Sequence, residues 1–326
     1  MNESILREHY AKRGFSSDSA DRAVGSVAAL EQWLNGLPSS LELTNVDPVR
    51  QYVRHLMRNG QNDLETLLSL ARYFYLTGRN DIYIYFTSLL GGDGVFESIR
   101  KRLSDLVDCE TSACLLGSLM HPPLGSEPAD FPEFTKSLMD RLEAGLPDET
   151  MRRVLSGNHH EIPASAFEKE AQFYRQASSI DAYLAEYHRR QVAELQQHCD
   201  TNTVWYEQNI TQRVVDFVAA NPEIQSAVRE GDTLYTTKIP YDPDRYLAQS
   251  DPVLKRYYAC HCPFVREAIL RGEPVVSSNW CYCSGGFVKY PFEVLLGREL
   301  RVTLLESVLK GDPVCRFAIH LDGAAK

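Results

Sequence analysis

The chain lacks any apolar run long enough to cross a bilayer, and it lacks an excess of positive charge. Crossing needs about 20 consecutive, mostly apolar residues, and no stretch of the 326 residues comes near this. The first eight residues are polar, without the apolar region of a secretory signal. With 34 Lys and Arg against 44 Asp and Glu, the formal net charge is −10. We therefore expect a cytoplasmic protein with no membrane association and no nucleic-acid partner.

Common nucleotide-binding and hydrolase motifs are also missing. There is no Gly-x-Gly-x-x-Gly after a predicted strand, no Walker A loop, no His-Glu-x-x-His and no Gly-x-Ser-x-Gly. What the chain does have is eight cysteines. Thiols stay reduced in the cytoplasm, so this compartment favours metal binding or catalysis over structural disulfides.

Apolar residues at helical spacing dominate residues 1–120 and predict a helical bundle. For the helix near residue 48, Asp47 is the predicted N-cap and Pro48 the first helical residue. A cluster of Pro, Gly and Ser at 121–128 predicts a domain linker over 121–130, which leaves 131–326 as the second domain. The predicted helices of the first domain cover 18–35, 48–59, 63–77 and 95–107.

The second domain begins with helical patterns and then changes its period from 3.6 to 2 after about residue 232. Thr233–Ile239 alternates as a strand does, and Glu299–Leu309 with Val314–Leu321 predicts a hairpin. The fold class expected is α+β: an N-terminal helical bundle followed by an α/β domain with an antiparallel sheet. The predicted helices here cover 131–144, 147–156, 163–177, 179–198, 211–220, 263–271 and 286–296.

Five cysteines gather in the last part of the chain and mark the candidate site. They are Cys260, Cys262, Cys281, Cys283 and Cys315. Two Cys-x-Cys pairs supply the four thiolates that zinc prefers, and Cys315 adds a fifth. An iron–sulfur cluster and a thiol–disulfide redox pair are the alternatives, and buried structural cysteines are the plainest reading. Because Cys260 and Cys262 precede a predicted helix, its N-terminal dipole was a further reason to expect thiolates there.

Other candidates are weaker. His261 could join the site as a ligand or proton carrier, whereas the adjacent His159 and His160 are typical of an exposed turn. Lys289 and Glu293, four residues apart on a predicted helix, indicate a surface ion pair. The remaining cysteines, Cys109, Cys114 and Cys199, fall in helical patterns and are interpreted as core. The Ser284-Gly285-Gly286 segment is interpreted as a turn that opens a helix.

Residues 281–286, Gly297, Glu306-Ser307 and 311–317 resemble the 4-vinyl-reductase-like domain. The resemblance covers roughly the last quarter of the chain and implies an α/β fold around a small-molecule pocket, with zinc held by cysteines in some members. It implies that Cys315 is a ligand and that Cys283 corresponds to an earlier one. This chain has Ser307 where the family has a cysteine, which puts the same zinc geometry in doubt.

Two further resemblances concern other patterns. The series Cys-x-Cys-Pro, Cys-x-Cys-Ser-x-Gly and Glu-Ser-(x)3-Gly-Asp is similar to a set of uncharacterised bacterial proteins, and it implies no activity. Residues 27–90 resemble the helical SAM-like core-binding domain of tyrosine recombinases. The catalytic Arg, His and Tyr domain of that family is missing, and the acidic charge does not suit DNA.

The sequence therefore predicts a metal-binding, cysteine-rich protein, with zinc as the expected metal, that binds or senses a small molecule. A metalloenzyme or an iron–sulfur or thiol redox enzyme using the same cysteines is the first alternative. An interaction module with a structural zinc is the second.

Overall fold

A computed structural model describes residues 1–322, and its contacts group into two compact units. The first unit comprises Met1–Asp93 and Pro122–Pro128. The second comprises Gly94–His121 and the chain from Ala129 onward. This grouping differs from the sequence-based division, because the helices within 94–121 belong to the second unit. Their apolar residues, among them Ile99 and Leu103, share one core with Leu138 and Val154.

The first unit is built from five helices whose apolar faces meet in one core. Four of them begin at a side-chain cap, since a short polar side chain satisfies amides that have no intrahelical partner. At α3 the cap is Asn45, which accepts from Asp47 N at 3.1 Å, and the prediction of Asp47 as the cap was wrong. The helices are α1 (Glu3–Lys12), α2 (Ser17–Leu34), α3 (Val46–Arg58), α4 (Leu64–Leu76) and α5 (Asn80–Leu90).

The segment Pro122–Pro128 is fastened to this first unit by polar contacts. Asn62 donates to Leu124 O at 2.6 Å, and Arg54 forms an ion pair with Glu127 at 3.1 Å. Gly125 has φ +90°, and a side chain there would press against Val53. A glycine is therefore suited to this turn by its left-handed backbone and by the space available.

The second unit combines helices with two small antiparallel sheets. Its helices are α6 (Val95–Leu106), α7 (Cys109–Leu116), α8 (Pro132–Gly145), α9 (Asp148–Leu155), α10 (Glu168–Gln176), α11 (Ile180–Thr201), α12 (Gln212–Ala219), α13 (Pro243–Ala248), α14 (Pro252–Ala259), α15 (Arg266–Arg271) and α16 (Tyr282–Leu296). Short 3-10 turns lie at Pro128–Asp130, Ala164–Phe167 and Ser278–Cys281. Within residues 1–322, no helix combines the length and apolar content needed to span a bilayer.

The strands confirm the predicted α+β class. They are β1 (Val204–Trp205), β2 (Gln208–Asn209), β3 (Val228–Glu230), β4 (Thr233–Thr237), β5 (Arg301–Glu306) and β6 (Arg316–His320). The main sheet has the order β3-β4-β6-β5, and every neighbouring pair is antiparallel. Leu234, Phe317 and Ile319 lie on one buried face of the sheet, and Ala318, on the other face of β6, is buried as well. Strands of two or three residues, such as β1–β3, are too short to show a period and were not predicted.

Helix α16 packs unusually close to the loop after α9. A Cβ added at Gly286 would lie 2.2 Å from Gly157 O and 2.8 Å from Ser156 O. The helix begins at Tyr282, so Gly285 and Gly286 lie within its first turns and not in a turn before it. The prediction of a glycine turn there was wrong. Gly286 is needed because the backbone of α16 approaches the backbone of the loop after α9 closely. The local sequence does not distinguish a glycine at such a close approach from a glycine in a turn.

Candidate functional site: a cluster of five thiols

The first cysteine pair lies between two helices. Cys260 ends α14, and its amide donates to the carbonyls of Arg256 and Tyr257. The carbonyl of Cys262 then accepts from Val265 N and Arg266 N, which forms the turn that leads into α15. Because α15 begins only at Arg266, neither cysteine lies at its N-terminus. The expectation that the dipole of this helix stabilises thiolates at Cys260 and Cys262 is not supported.

The second pair opens α16. Cys281 closes the turn Ser278–Cys281, and Cys283 lies in the first turn of the helix. Both side chains are buried. Trp280, which precedes Cys281, links the two segments. Its indole nitrogen donates to Cys262 Sγ at 3.1 Å.

Cys315 immediately precedes β6 and is half-buried. The loop between β5 and β6 supplies hydrogen-bond donors to the sulfurs. Ser307 Oγ donates to Cys281 Sγ at 3.1 Å, and the Val308 amide donates to Cys315. Asp312 accepts from the Ser307 amide at 2.8 Å and holds this loop closed.

Cys281 and Cys315 form a hydrogen-bonded thiol pair. This hydrogen bond is the largest cause of two opposite changes: it lowers the pKa of Cys315 and raises that of Cys281 well above its usual value. The Val308 amide and the charge of Lys238 also lower the pKa of Cys315, while its burial opposes them. Of the two thiols, Cys315 is therefore the one that ionises more readily, and Cys281 is the one that holds its proton more firmly.

The other three thiols favour their neutral form. Burial is the largest cause in each case: it raises the pKa of Cys260 and Cys262, and it raises that of Cys283 to about 12. Cys260 also responds to the charges of Cys262 and Cys315, and Cys283 responds to that of Cys262. The five predicted cysteines are thus close enough to influence one another electrostatically.

Lys238 is a cation whose charge acts on several of these sulfurs. Its amide donates to Cys315 O at 3.0 Å, which fixes the backbone after β4 beside the backbone before β6. Its ammonium lies 5.0 Å from the centre of the Phe287 ring. The same charge favours the ionised form of Cys262, Cys283 and Cys315.

A second group on this side of the unit consists of Arg266, Tyr241 and Glu207. The guanidinium carbon of Arg266 lies 4.3 Å from the centre of the Tyr241 ring, and the two side chains are hydrogen-bonded. Glu207 is hydrogen-bonded to Tyr241, and burial raises the pKa of its carboxyl. His261 packs edge-on against Tyr241, and its Nε2 lies 2.6 Å from Ile239 O.

Several of these side chains keep contact with solvent although protein surrounds them on most sides. His261 and Cys262 are half-buried, yet burial is the largest cause of the change in their pKa. His160 is exposed, yet burial lowers its pKa to about 4. The side chains around the cysteines that are exposed or half-buried include His160, Lys238, His261, Cys262, Phe287 and Cys315. His160 and Lys238 both lie against the Phe287 ring.

The cysteines and histidines of this region are side chains of the kind that a metal centre uses. In the part of the chain from 1 to 322, no three His, Cys, Asp or Glu side chains are arranged to hold a metal ion. Two sulfurs, those of Cys281 and Cys315, are in contact, and the others interact at longer range. Soft thiolates suit zinc or an iron–sulfur cluster, so the residue types fit such a group while their present arrangement gives two adjacent ligands.

Three other sequence-based interpretations need correction. Cys109 and Cys114 are exposed and do not lie in the core, whereas Cys199 is half-buried and packs against a core cluster that includes Leu195. His159 is buried, with Nε2 donating to Val154 O at 2.7 Å and Nδ1 accepting from Ser98 Oγ at 3.1 Å. The Lys289–Glu293 ion pair is also buried and not on the surface.

Sequence reasoning missed Lys238 and Arg266. A signal existed for Arg266, since it lies four residues after Cys262 in the predicted helix 263–271. No local signal existed for Lys238. Its position beside Cys315 depends on the pairing of β4 with β6, in which Thr237 is opposite Arg316.

Comparisons with known proteins bear on this region only. Residues 243–325, about a quarter of the chain, match a family of unknown function, DUF6144. The match includes all five cysteines and Arg266, and it leaves out Glu207, Lys238 and Tyr241. Neither the curated proteins nor the solved structures contain a match to the chain. The chain is therefore similar, over its cysteine-rich segment, to a family whose description assigns no activity.

Proposed function

We propose that the second unit is a thiol-based redox protein that acts on a small molecule, with Cys315 as the nucleophile and Cys281 as the resolving thiol. The observation that carries this proposal is the hydrogen bond between the two sulfurs, combined with their unequal accessibility. Cys315 is half-buried, whereas Cys281 is buried. An accessible thiolate backed by a protonated neighbouring thiol is the arrangement that disulfide exchange requires.

The reaction is written for a small disulfide as substrate. The Cys315 thiolate attacks one substrate sulfur, a mixed disulfide forms, and the other half leaves as a thiolate. Cys281 gives up its proton to that leaving thiolate and then attacks Cys315 Sγ. The second half leaves, and a Cys281–Cys315 disulfide remains. The substrate has gained two electrons and the protein has lost two, which a small cellular thiol returns in the next cycle.

Neighbouring groups support both steps. Val308 N–H and the charge of Lys238 favour the thiolate of Cys315, and Ser307 Oγ stabilises negative charge on Cys281 when it forms. The proposal places the protein in the cytoplasm, where a reducing thiol pool keeps the pair reduced.

The test uses full-length protein with the exposed Cys109 and Cys114 replaced by serine. Reduced protein is mixed with 2-hydroxyethyl disulfide, and the products are identified by mass spectrometry. We expect an internal Cys281–Cys315 disulfide and no retained adduct. Cys281→Ala should trap the mixed disulfide on Cys315, because the proposed resolving thiol is gone. Cys315→Ala should form neither product. A Cys315 that stays unmodified while the protein remains folded would overturn the proposal.

The pH dependence of alkylation separates the hydrogen bond from simple packing. Iodoacetamide labelling of Cys315 should need a higher pH in Cys281→Ala than in the parent, because the largest cause of the lowered Cys315 pKa is gone. Cys281→Ser is the matched control, since its hydroxyl can still donate. Identical profiles for the alanine and serine variants would contradict the assigned direction of the bond.

Metal binding is the second candidate, and one observation favours it. Cys260 interacts electrostatically with both Cys281 and Cys315, so a third sulfur is close to the contacting pair. Zinc bound there would supply a positive charge that holds the thiolates ionised. Elemental analysis of purified protein tests this, with Cys260→Ser as the variant expected to lose metal, and a brown colour would indicate an iron–sulfur cluster. Protein that carries less than about 0.1 metal ion per chain would exclude this candidate as the main state.

Binding or sensing of a small molecule through a 4-vinyl-reductase-like domain stays a prediction. It is compatible with either chemistry, because both use the same cysteines. Ligand binding without turnover of the disulfide would favour the sensor over the redox enzyme.

A further inference from the structure

A serine and a buried histidine of the second unit form a hydrogen-bonded pair that involves none of the cysteines. Ser98 Oγ lies 3.1 Å from Nδ1 of His159, and Nε2 of the same ring lies 2.7 Å from Val154 O. A carbonyl oxygen can only accept, so Nε2 carries the ring proton and Nδ1 is the acceptor. The hydroxyl of Ser98 therefore donates to the imidazole, which is the orientation that general-base activation of a serine needs.

The imidazole of His159 is held in one orientation by the packing around it. The residue is 2% exposed, and a Cβ added at Gly157 would lie 2.8 Å from the ring Cε1. Gly157 is itself fixed against α16, since its carbonyl oxygen lies 2.2 Å from the place where a Cβ at Gly286 would be. Burial lowers the pKa of His159 to about 4, so the ring is neutral near neutral pH and its Nδ1 can accept a proton.

The pair lies in the wall of a surface cavity of about 320 Å³. Helix α6 contributes one polar face to this wall, with the spacing i, i+3, i+4 and i+7: Ser98, Lys101, Arg102 and Asp105. The loop after α9 contributes Asn158, His159 and Glu161. Both members of the pair thus face the cavity, although the histidine is buried and the serine is half-buried.

The wall of the cavity indicates which molecules fit. Its volume of about 320 Å³ is near the lower end of the range for small-molecule pockets, about 300–1,000 Å³. Every lining residue is polar, so the cavity offers no surface for a long hydrocarbon chain. Arg102 is engaged within the protein, because its Nε donates to Arg153 O at 2.7 Å and its guanidinium pairs with Glu299. Lys101 is the exposed cation of the wall.

We infer that this cavity is the site of a second activity, the hydrolysis of small polar esters, with Ser98 as the nucleophile and His159 as the general base. The cavity gives a substrate access to the hydroxyl, the hydroxyl already donates to Nδ1, and Val154 O holds the ring in the tautomer that accepts. Lys101, one turn along the same face of α6, supplies positive charge for the oxyanion. No cysteine lines the cavity, so the inference is independent of the redox proposal.

The reaction balances with water as the second substrate. Ser98 Oγ attacks the ester carbon while its proton passes to Nδ1 of His159. The alcohol leaves with that proton, and the acyl group stays on Ser98. Water then attacks the acyl carbon and gives a proton to Nδ1, the acid leaves, and the proton returns to Ser98 Oγ. A base with a pKa of about 4 is weak, so acylation should be slow and reagents with a good leaving group suit the test.

Covalent labelling tests the nucleophile. Full-length protein is treated with an organic fluorophosphonate, whose phosphorus bonds to an activated serine oxygen while fluoride leaves. Peptide mapping by mass spectrometry should place the adduct on Ser98. His159→Asn should lower the labelling rate of Ser98 by about a hundredfold or more, because the base is lost. Ser104 is the matched control: it lies on the same helix and is exposed, but its hydroxyl is 3.0 Å from that of Ser112 and not from an imidazole, so it should stay unlabelled.

Ester turnover tests the activity and the substrate class. Accessible thiols are first blocked with iodoacetamide, so that cysteines do not react with the ester. Hydrolysis of p-nitrophenyl acetate should fall to the background rate in Ser98→Ala and continue in Ser104→Ala. Lys101→Gln should lower kcat by about a hundredfold, and Lys101→Arg, which keeps the charge, should retain most of it. The acetate should be hydrolysed faster than p-nitrophenyl octanoate, because the wall is polar.

Two results would overturn the inference. In the first, Ser98 stays unlabelled in folded protein, or is labelled no faster than Ser104, and its hydrogen bond serves only the packing of His159. In the second, p-nitrophenyl acetate is hydrolysed equally fast by the protein and by Ser98→Ala. Circular dichroism of each variant confirms folding. Ser98→Ala removes a single hydroxyl at a half-buried position, so it carries the test if His159→Asn does not fold.

Discussion

Trp280 donates its indole N–H to the sulfur of Cys262, with the nitrogen and sulfur 3.1 Å apart. The donor and acceptor lie in the two segments that carry the Cys-x-Cys pairs. Trp280 is 1% exposed and packs on Phe264 with ring centres 5.2 Å apart. The contact therefore fixes the two cysteine segments against each other inside the core.

Replacing Cys262 should destabilise the second unit through this indole. In Cys262→Ala the buried N–H loses its acceptor, and we expect a loss of about 1–2 kcal/mol in the free energy of unfolding. Trp280→Phe removes the donor, so the double variant should cost less than the sum of the two single variants. Urea unfolding followed by circular dichroism measures all three, and strict additivity would show that the bond contributes nothing.

The buried ion pair of α16 yields a second prediction. Lys289 donates to Glu293, and their side chains are 2% and 14% exposed. Glu293→Gln leaves the ammonium without a counter-charge in the core, and we expect a loss of about 3 kcal/mol. The Leu300 amide, which donates to Glu293 Oε1 at 2.8 Å, keeps an acceptor in the glutamine variant.

The surface pair Lys136–Asp140 is the matched control, because it has the same spacing on a helix and its side chains are 39% and 60% exposed. Asp140→Asn should change the unfolding free energy by less than about 0.5 kcal/mol. Equal losses in the two variants would show that burial does not determine the strength of the pair.

The burial of His159 leads us to expect that the protein loses stability in mild acid. Its burial lowers its pKa to about 4, whereas the unfolded value is near 6.5. Since the unfolded chain binds the extra proton more readily, stability should be complete above about pH 6.5 and should fall as the pH drops toward 4. Between pH 6.5 and pH 4, His159 should lower the free energy of unfolding by about 3 kcal/mol.

The measurement is the free energy of unfolding at several pH values in the protein and in His159→Asn. Asparagine can donate to Val154 O but does not take up a proton, so the variant should lose less stability between pH 6.5 and 4. His261 has its pKa lowered in the same direction by burial and should leave part of the slope in place. Parallel pH curves would contradict a neutral His159 in the folded protein.

Gly286→Ala should be strongly destabilising. Its Cβ would lie 2.2 Å from Gly157 O, and a backbone carbonyl cannot swing aside as a flexible side chain can. We expect at least about 2 kcal/mol, although alanine is the better helix former. At Gly25, inside α2, a Cβ meets nothing within 4 Å, so Gly25→Ala should instead stabilise the first unit by about 0.5–1 kcal/mol. Thermal unfolding of both variants checks the opposite signs.

Helices and the main strands could be predicted because they depend on periodicity and on caps within a few residues. The helix predicted over 18–35 corresponds to Ser17–Leu34 in the structure. The strand predicted over Thr233–Ile239 corresponds to Thr233–Thr237. Periodicity says which face of an element is apolar, but it does not say what covers that face. The burial of Lys289 and Glu293 could not be predicted for this reason: an i, i+4 pair looks the same on an exposed or a buried face.

The sequence by itself determined that the chain is acidic, helical at first and α+β later, and it predicted that the chemistry concentrates at five cysteines. Only the tertiary structure decided how those cysteines differ. Cys281 and Cys315 are 34 positions apart in sequence, and the hydrogen bond between them exists because the loop after β5 and the start of β6 lie against α16. The positions of Lys238 and Arg266 follow from strand register and helix packing. Both are long-range properties, set by burial of apolar surface across the whole unit and not by neighbours in the chain.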